Sequence, residues 1–365
     1  MEKLKRTAFF LIIIVFGAII LREGAFILVP VVWGIFFAFA LSPVSDWLEK
    51  FRIPRSLAII LSIVLVSLVV FGIVYALINQ MVGLIRDIPE IGENFKDKLG
   101  KYMEQLNTIV GTQVIFPENQ NELWSILRVE NLNNTLFATG KSLTLAGIIP
   151  LYIFLLMYYR DFFVAFLIRY SVKSKERILS WAKDSGRVIQ SYLTGMILVT
   201  LIVAILSGIF FFLIGVKYFL LFAAFIAIMN LIPYAGVVVS SFFVILYVFL
   251  TTDSFVYPLL TLGVLWSIQL LENNIITPLV VGSHVRVNAF AVILAILLGG
   301  WLWGISGMVL FIPLIGVLKI TLERSEGLEA FGFLLSDSVP VKKTSGSKNW
   351  FFWLGNKNSH ADKSK

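Results

Sequence analysis

Two apolar stretches of equal length, Lys217 to Leu250 and Val287 to Ile320, set the strongest limit on how this chain can fold. As a straight helix each would reach about 50 Å, against a hydrocarbon core of about 30 Å: too long for one upright crossing and too short for two. Both carry helix breakers near the middle. The first contains Asn230-Leu231-Ile232-Pro233-Tyr234-Ala235-Gly236, the second Gly299-Gly300-Trp301-Leu302-Trp303-Gly304-Ile305-Ser306-Gly307. Interrupted backbone at membrane depth leaves amide groups that lipid cannot satisfy, so it persists only where protein or a wet cavity covers it. The pattern predicts two re-entrant helical hairpins, with 255–282 as a kinked span between them. Three ordinary spans are the competing arrangement. Loop charge favours the hairpins, which put Thr251-Thr252-Asp253 outside and Ser283-His284-Val285-Arg286 inside.

The rest of the chain reads as membrane protein too. Hydrophobic residues make up 58% of its 365 positions and charged residues 14%, with a mean hydropathy of +0.90 that soluble domains do not reach. Conventional spans fall at 7–21, 26–48, 57–80, 138–159 and 188–214. With two hairpins and a broken span they give an all-α, polytopic integral membrane protein of about eight membrane segments. A β-barrel would instead show alternating segments of about ten residues. Cysteine is absent, which excludes disulfides and thiolate metal sites. The net charge of +8 does not imply nucleic acid, because the basic residues flank hydrophobic spans.

Polar segments divide the chain and orient it. The three N-terminal spans occupy 1–85. Segment 86–137 is acidic on balance: Asp87, Glu90, Glu93, Asp97, Glu104, Glu118, Glu122 and Glu130 oppose Arg86, Lys96, Lys98, Lys101 and Arg128. After the span at 138–159, segment 160–187 is basic, and beyond the core at 188–320 comes a basic tail, 321–365, expected to be disordered. With both termini in the cytoplasm, every basic segment lies inside and the acidic one outside. Ile85, Ile88, Ile91, Phe95, Leu99, Tyr102, Leu106 and Ile109 recur at helical spacing and predict an amphipathic outer helix. A second starts near Asn119, with Glu122 closing a capping box. Phe162, Phe163, Phe166, Leu167 and Tyr170 predict a helix lying on the inner membrane surface, with lipid as its partner.

Between the two apolar stretches lies Glu272-Asn273-Asn274-Ile275-Ile276-Thr277-Pro278, preceded by Gln269. An ionisable side chain within a crossing costs several kcal/mol unless paired or hydrated, and by default it marks a functional site. Pro278 cannot donate to the Asn274 carbonyl, which becomes available to an ion or substrate. The plainer alternative is a cap at the membrane boundary with Glu272 in water. The expected pathway residues are therefore Asn230, Pro233, Tyr234, Gly236, Gln269, Glu272, Asn273, Asn274, Thr277, Pro278, Gly299, Gly300, Gly304, Ser306 and Gly307. Paired interrupted segments of this kind point to a transporter's substrate site.

Four motifs, "RVIQSYLTG" (187–195), "NLIPYAG" (230–236), "ENNIITPLVVG" (272–282) and "LLGGWLWGISGMVLFIP" (297–313), resemble those of the autoinducer-2 exporter family of bacterial membrane proteins. The span pattern extends the similarity over about 10–325. The resemblance implies an oligomeric, multi-spanning permease of the bacterial inner membrane, from a family associated with export of autoinducer-2 and in some members with sodium/proton exchange. Its glycines and prolines correspond to Pro233, Gly236, Pro278, Gly299, Gly300, Gly304, Gly307 and Pro313, and its acidic position to Glu272. Where many members have a proline before the second hairpin, this chain has Asn288-Ala289.

Other chemistries fit less well. Residues 304–307, "GISG", match the serine motif of rhomboid proteases. The base open to Ser306, His284, stands about 33 Å away along a helix with no third group to orient it. P-loop, HExxH and dinucleotide motifs are absent, so no enzyme activity and no cofactor are expected. Trp301 and Trp303 are read as packing or interface residues. What remains is transport of a small hydrophilic molecule or ion by alternating access or passive conduction, with sodium or proton coupling. A structural role in the cell envelope is the rival of another class. Glu272→Gln would leave a scaffold intact and would impair a transporter.

Overall fold

The structure is a computed structural model and describes residues 2–110, 140–170, 175–233, 235–280 and 287–337. Among them the chain is helical almost throughout: α1 (Glu2–Glu23), α2 (Ala25–Glu49), α3 (Arg55–Val110), α4 (Gly140–Tyr158), α5 (Arg160–Tyr170), α6 (Lys175–Leu213), α7 (Phe219–Met229), α8 (Ala235–Thr251), α9 (Val256–Leu271), a π-helical turn (Glu272–Ile276), α10 (Thr277–Val280), α11 (Ala289–Glu323) and α12 (Glu329–Leu334). Tyr234, the helix expected from Asn119, the 283–286 loop and the tail beyond residue 337 lie outside the described residues.

Five helical stretches are long and apolar enough to cross a membrane: Ala25–Glu49, Arg55–Gly92, Lys175–Leu213, Val256–Val280 and Ala289–Glu323. The α4/α5 pair, bent by 59° after Tyr158, makes a sixth if read as one broken span. Their apolar faces are widely exposed, as on α3 at Leu65, Leu68, Val69 and Phe71, which suits lipid rather than water. The protein is thus an all-α, multi-pass membrane protein. One boundary differs from the sequence pattern. The span and the amphipathic segment that follow Arg55 form a single helix of 56 residues, because the polar residues after Ile85 change what the helix faces without breaking it.

Helix α6 is the common support, and two chain reversals pack along it from opposite ends. Next to its C-terminal half, α7 runs antiparallel, with Gly208 against the Ala223 side chain. Continuing that register brings Asn230 level with Leu201. Along the N-terminal half runs the second arm of α11: Trp181 Nε1 donates to Thr321 Oγ1 at 3.0 Å and the Tyr192 hydroxyl to the Val309 carbonyl at 3.3 Å. The same counting puts the break in α11 level with Ile197 and Leu198.

That break is a sharp reversal. Trp303 (φ −129°, ψ 16°) and Gly304 (φ 59°, ψ −141°) leave helical geometry, and Gly304 sits where a side chain would be strained. Gly299 and Gly307, about 12 Å apart in a straight helix, lie backbone against backbone, so a Cβ on either would overlap the other's carbonyl. Gly236 likewise presses on the Met229 carbonyl at the turn between α7 and α8. Each reversal is closed at its open end. Asn288 ties the start of α11 to the chain after α12: its N–H donates to the Leu335 carbonyl at 2.9 Å and its side-chain amide to the Leu334 carbonyl at 2.6 Å. Both ends of the α7–α8 pair rest on α3.

Candidate functional site

The chain passes through a π turn where Pro278 forbids a regular helix. Proline cannot donate an N–H, and its ring crowds the carbonyl four residues back. The helix widens by one residue, and the Thr277 N–H bonds the Glu272 carbonyl. π turns of this kind occur mostly at functional sites.

The same widening folds polar side chains around one carboxylate. Glu272 is 8% exposed. Thr277 Oγ1 donates to Glu272 Oε1 at 2.6 Å, and Gln269 Nε2 donates to Glu272 Oε2 at 2.7 Å and also reaches Asn273 Oδ1 at 3.2 Å. A carboxylate offers about four lone-pair positions. Two neutral donors therefore leave acceptor capacity for a cation, a proton or a substrate hydroxyl. Asn274 turns away, its amide donating to the Leu270 carbonyl at 2.8 Å, and Asn273, Asn274 and Pro278 are exposed. The boundary-cap alternative required Glu272 in water, and its burial beside α6 is the opposite.

The π turn shares its level with the two reversals. α9 returns along α8 after a short connection, and its 16 residues against 17 in α8 bring Glu272 level with Gly236. Asn230 and Pro233 are half-buried at the α7–α8 turn, and no described residue bonds the Asn230 side chain. Gly299 and Gly307 are buried in the second reversal, with Gly300 against Met308, while Gly304 is exposed at the bend and Ser306 half-buried beyond it. Three breaks thus stand within about one helical turn of the same height on α6. They do not form a single side-chain cluster: α11 packs chiefly on α6, α2 and α12, while the π turn packs on α6, α9 and α10.

The sequence reading missed the polar groups on α3 that meet the α7–α8 pair. Asp87 Oδ2 accepts from Lys217 Nζ and from the Tyr218 hydroxyl, both at 2.6 Å. No local pattern announces a bond between positions this distant in sequence. Trp303 also binds outside the core, its Nε1 donating to the Leu21 carbonyl of α1 at 2.8 Å.

A multi-pass membrane protein whose interrupted helices pack on one common helix, with a buried carboxylate in one of the interruptions, has the pattern of transport proteins built on broken helices. The AI-2E family transporter model matches residues 8–327, and the chain belongs to that family. It is similar to YrrI of Bacillus subtilis (strain 168), at 27% identity over 80% of this chain and 85% of that protein. It is similar to YhhT of Escherichia coli (strain K12), at 25% identity over 89% and 93%. Both are named as candidate transport proteins. A third relative, at 25% identity over 90% of this chain and 93% of its own length, is the AI-2 transport protein TqsA of Escherichia coli (strain K12).

Proposed function

We propose that the chain is a permease for a small hydrophilic molecule, with a path at the level shared by the Asn230–Gly236, Glu272–Pro278 and Gly299–Gly307 breaks. The observation that carries this is Glu272: a carboxylate buried in a helix long and apolar enough to cross a membrane, whose hydrogen-bond donors among the described residues are neutral. Such a group is costly unless it serves an ion or substrate. In this reading the two chain reversals are re-entrant hairpins, bringing the total to about eight membrane segments, and both termini face the cytoplasm of a bacterial inner membrane. An autoinducer-2-like signal fits as cargo, since TqsA carries that name. The family resemblance supports a homo-oligomer.

A second reading, sodium/proton exchange, is favoured by the same residue: the spare acceptor positions on Glu272 suit a proton or a cation in turn. Both are tested in proteoliposomes holding purified protein. Flux of labelled autoinducer-2 and of sodium is followed with and without imposed sodium and proton gradients, for the parent and Glu272→Gln. The permease predicts flux that falls at least tenfold in the variant. Exchange predicts sodium flux driven by a proton gradient, with its pH dependence lost in the variant. An envelope scaffold predicts no flux in either protein.

A further inference from the structure

The α7–α8 pair is gripped at both ends by one helix. At its start, Gln80 Oε1 of α3 accepts the Leu221 N–H at 2.8 Å, satisfying one of the first amides of α7. One to two turns further along α3, Asp87 Oδ2 takes Lys217 Nζ and the Tyr218 hydroxyl. At the other end, Lys98 Nζ donates to the carbonyls of Phe249 at 2.9 Å and Leu250 at 3.1 Å, and to that of Thr252. It thereby caps the last turn of α8 and completes the favourable pairing of a cation with a helix C-terminus. Its side chain is 14% exposed and its ammonium lies 5.8 Å from the Phe249 ring centroid.

These contacts are made by side chains, whereas the hydrogen bonds at the turn they restrain, Asn230–Pro233, are among the described residues backbone ones: Asn230 N–H to Ile226, Leu231 N–H to Ile228, Ile232 N–H to Met229, Ala235 N–H to Pro233 and Gly236 N–H to Ile232. Helix α3 continues past its apolar part to Val110, and that continuation carries Asp87 and Lys98. Membrane crossing does not need the extra length. A clamp on both feet of the hairpin does.

We propose that the part of α3 from Gln80 onward is a latch: Gln80, Asp87 and Lys98 are positioning residues that hold the α7–α8 hairpin in the state seen here, and their release lets the Asn230–Pro233 turn move and admit water. This goes beyond the permease reading and rests on it only for what the moving break serves. The latch itself is read without any substrate.

The chain has no cysteine, so one reporter thiol can be placed without background. Ala235→Cys, at the exposed start of α8, is reacted with a membrane-impermeant maleimide on full-length protein in proteoliposomes. Lys98→Met keeps the stem against Phe249 and removes the ammonium. Asp87→Asn keeps the shape and removes the charge. The latch predicts labelling at least fivefold faster in either variant and a return to the parent rate in Lys98→Arg. Spin labels at Glu90→Cys and Thr251→Cys report the feet, where a broader distance distribution is expected in the same variants. Unchanged tip labelling overturns the proposal, whether or not the feet loosen, since α3 would then be only a brace. If a variant is not folded, judged by its elution as a monodisperse species, the parent in high salt replaces it: screening weakens the Asp87–Lys217 pair. Faster tip labelling there supports the latch and constant labelling overturns it. Failure of Glu272→Gln to alter flux would leave these rates untouched, so the two proposals fail separately.

Discussion

Thr277 donates its hydroxyl to the buried carboxylate of Glu272 at 2.6 Å across five residues of the same helix. In a regular α-helix these positions point about 140° apart. The π turn is what brings them together, so the bond and the widened turn stand or fall as one.

Thr277→Val keeps the shape and deletes the donor. A hydrogen bond to a charged group contributes about 1.5–3 kcal/mol, and a buried carboxylate left short of a partner carries the larger end of that cost. The midpoint of thermal unfolding in detergent should fall in Thr277→Val and recover in Thr277→Ser. Equal midpoints for all three proteins would mean that water replaces the hydroxyl and that Glu272 is wetter than its exposure implies.

Gly299 and Gly307 touch through their backbones, so in Gly299→Ala or Gly307→Ala the added methyl first meets a backbone carbonyl that cannot swing aside. Each should destabilise by about 3 kcal/mol or more, the upper range for overpacking. The double variant should cost less than the sum, since both changes break one contact. Gly300→Ala meets only the flexible Met308 side chain and should cost less. Gly263→Ala, with nothing within 4 Å of the added methyl, should be neutral or gain up to about 1 kcal/mol from helix propensity. Denaturation midpoints of the five variants against the parent give the test.

The interruptions were legible because Gly, Pro and Asn inside long apolar runs are costly and therefore conspicuous, and the Trp303–Gly304 reversal falls among the glycines that announce it. Glu272 was legible for the same reason. The side-chain partner of Asn274 was not: its amide turns back to the Leu270 carbonyl. Nor could periodicity show that α3 runs unbroken to Val110. Leu84 and Ile91 pack on the core that α7 and α8 help to form, and such a change of neighbour along the helix leaves its propensity intact. Long-range partners such as Asp87 with Lys217 follow from the packing of α3 on α7 and have no local signature.

Arg55 joins α3 to the last turn of α4 and to the chain just beyond it through two bonds of unequal worth. Its Nη1 donates to Asp161 Oδ2 at 2.5 Å and its Nη2 to the Met157 carbonyl at 2.7 Å. Asp161 lies beyond the α4 span with a side chain 75% exposed, and the Arg55 hydrogen bond holds its carboxyl below the ordinary 3.8. A carboxylate lowered in the folded state adds stability above its unfolded value and loses it as pH falls through the folded one, so this contribution disappears only below pH 3.8. Exposure limits it to less than about 1 kcal/mol, further reduced by salt. Arg55→Ala should cost more than Asp161→Asn, because it also uncaps the last turn of α4. Unfolding curves for the two variants at neutral and acid pH check both the order and the window.

Pro278→Ala separates the cause of the π turn from its use. Alanine restores an N–H that can reach the Asn274 carbonyl, so the helix can drop its extra residue and rotate Thr277 away from Glu272. A proline within a helix costs about 3 kcal/mol relative to alanine, and part of that should return as a higher unfolding midpoint. Loss of the carboxylate's hydroxyl partner offsets some of the gain. If the widened turn exists to present Glu272, flux in proteoliposomes should drop while stability holds or rises, the pattern expected where a strained element serves activity. A variant with lower stability and unchanged flux would mean instead that packing against α6 sets the turn. Glu272 would then be buried to hold α9 and α10 in register.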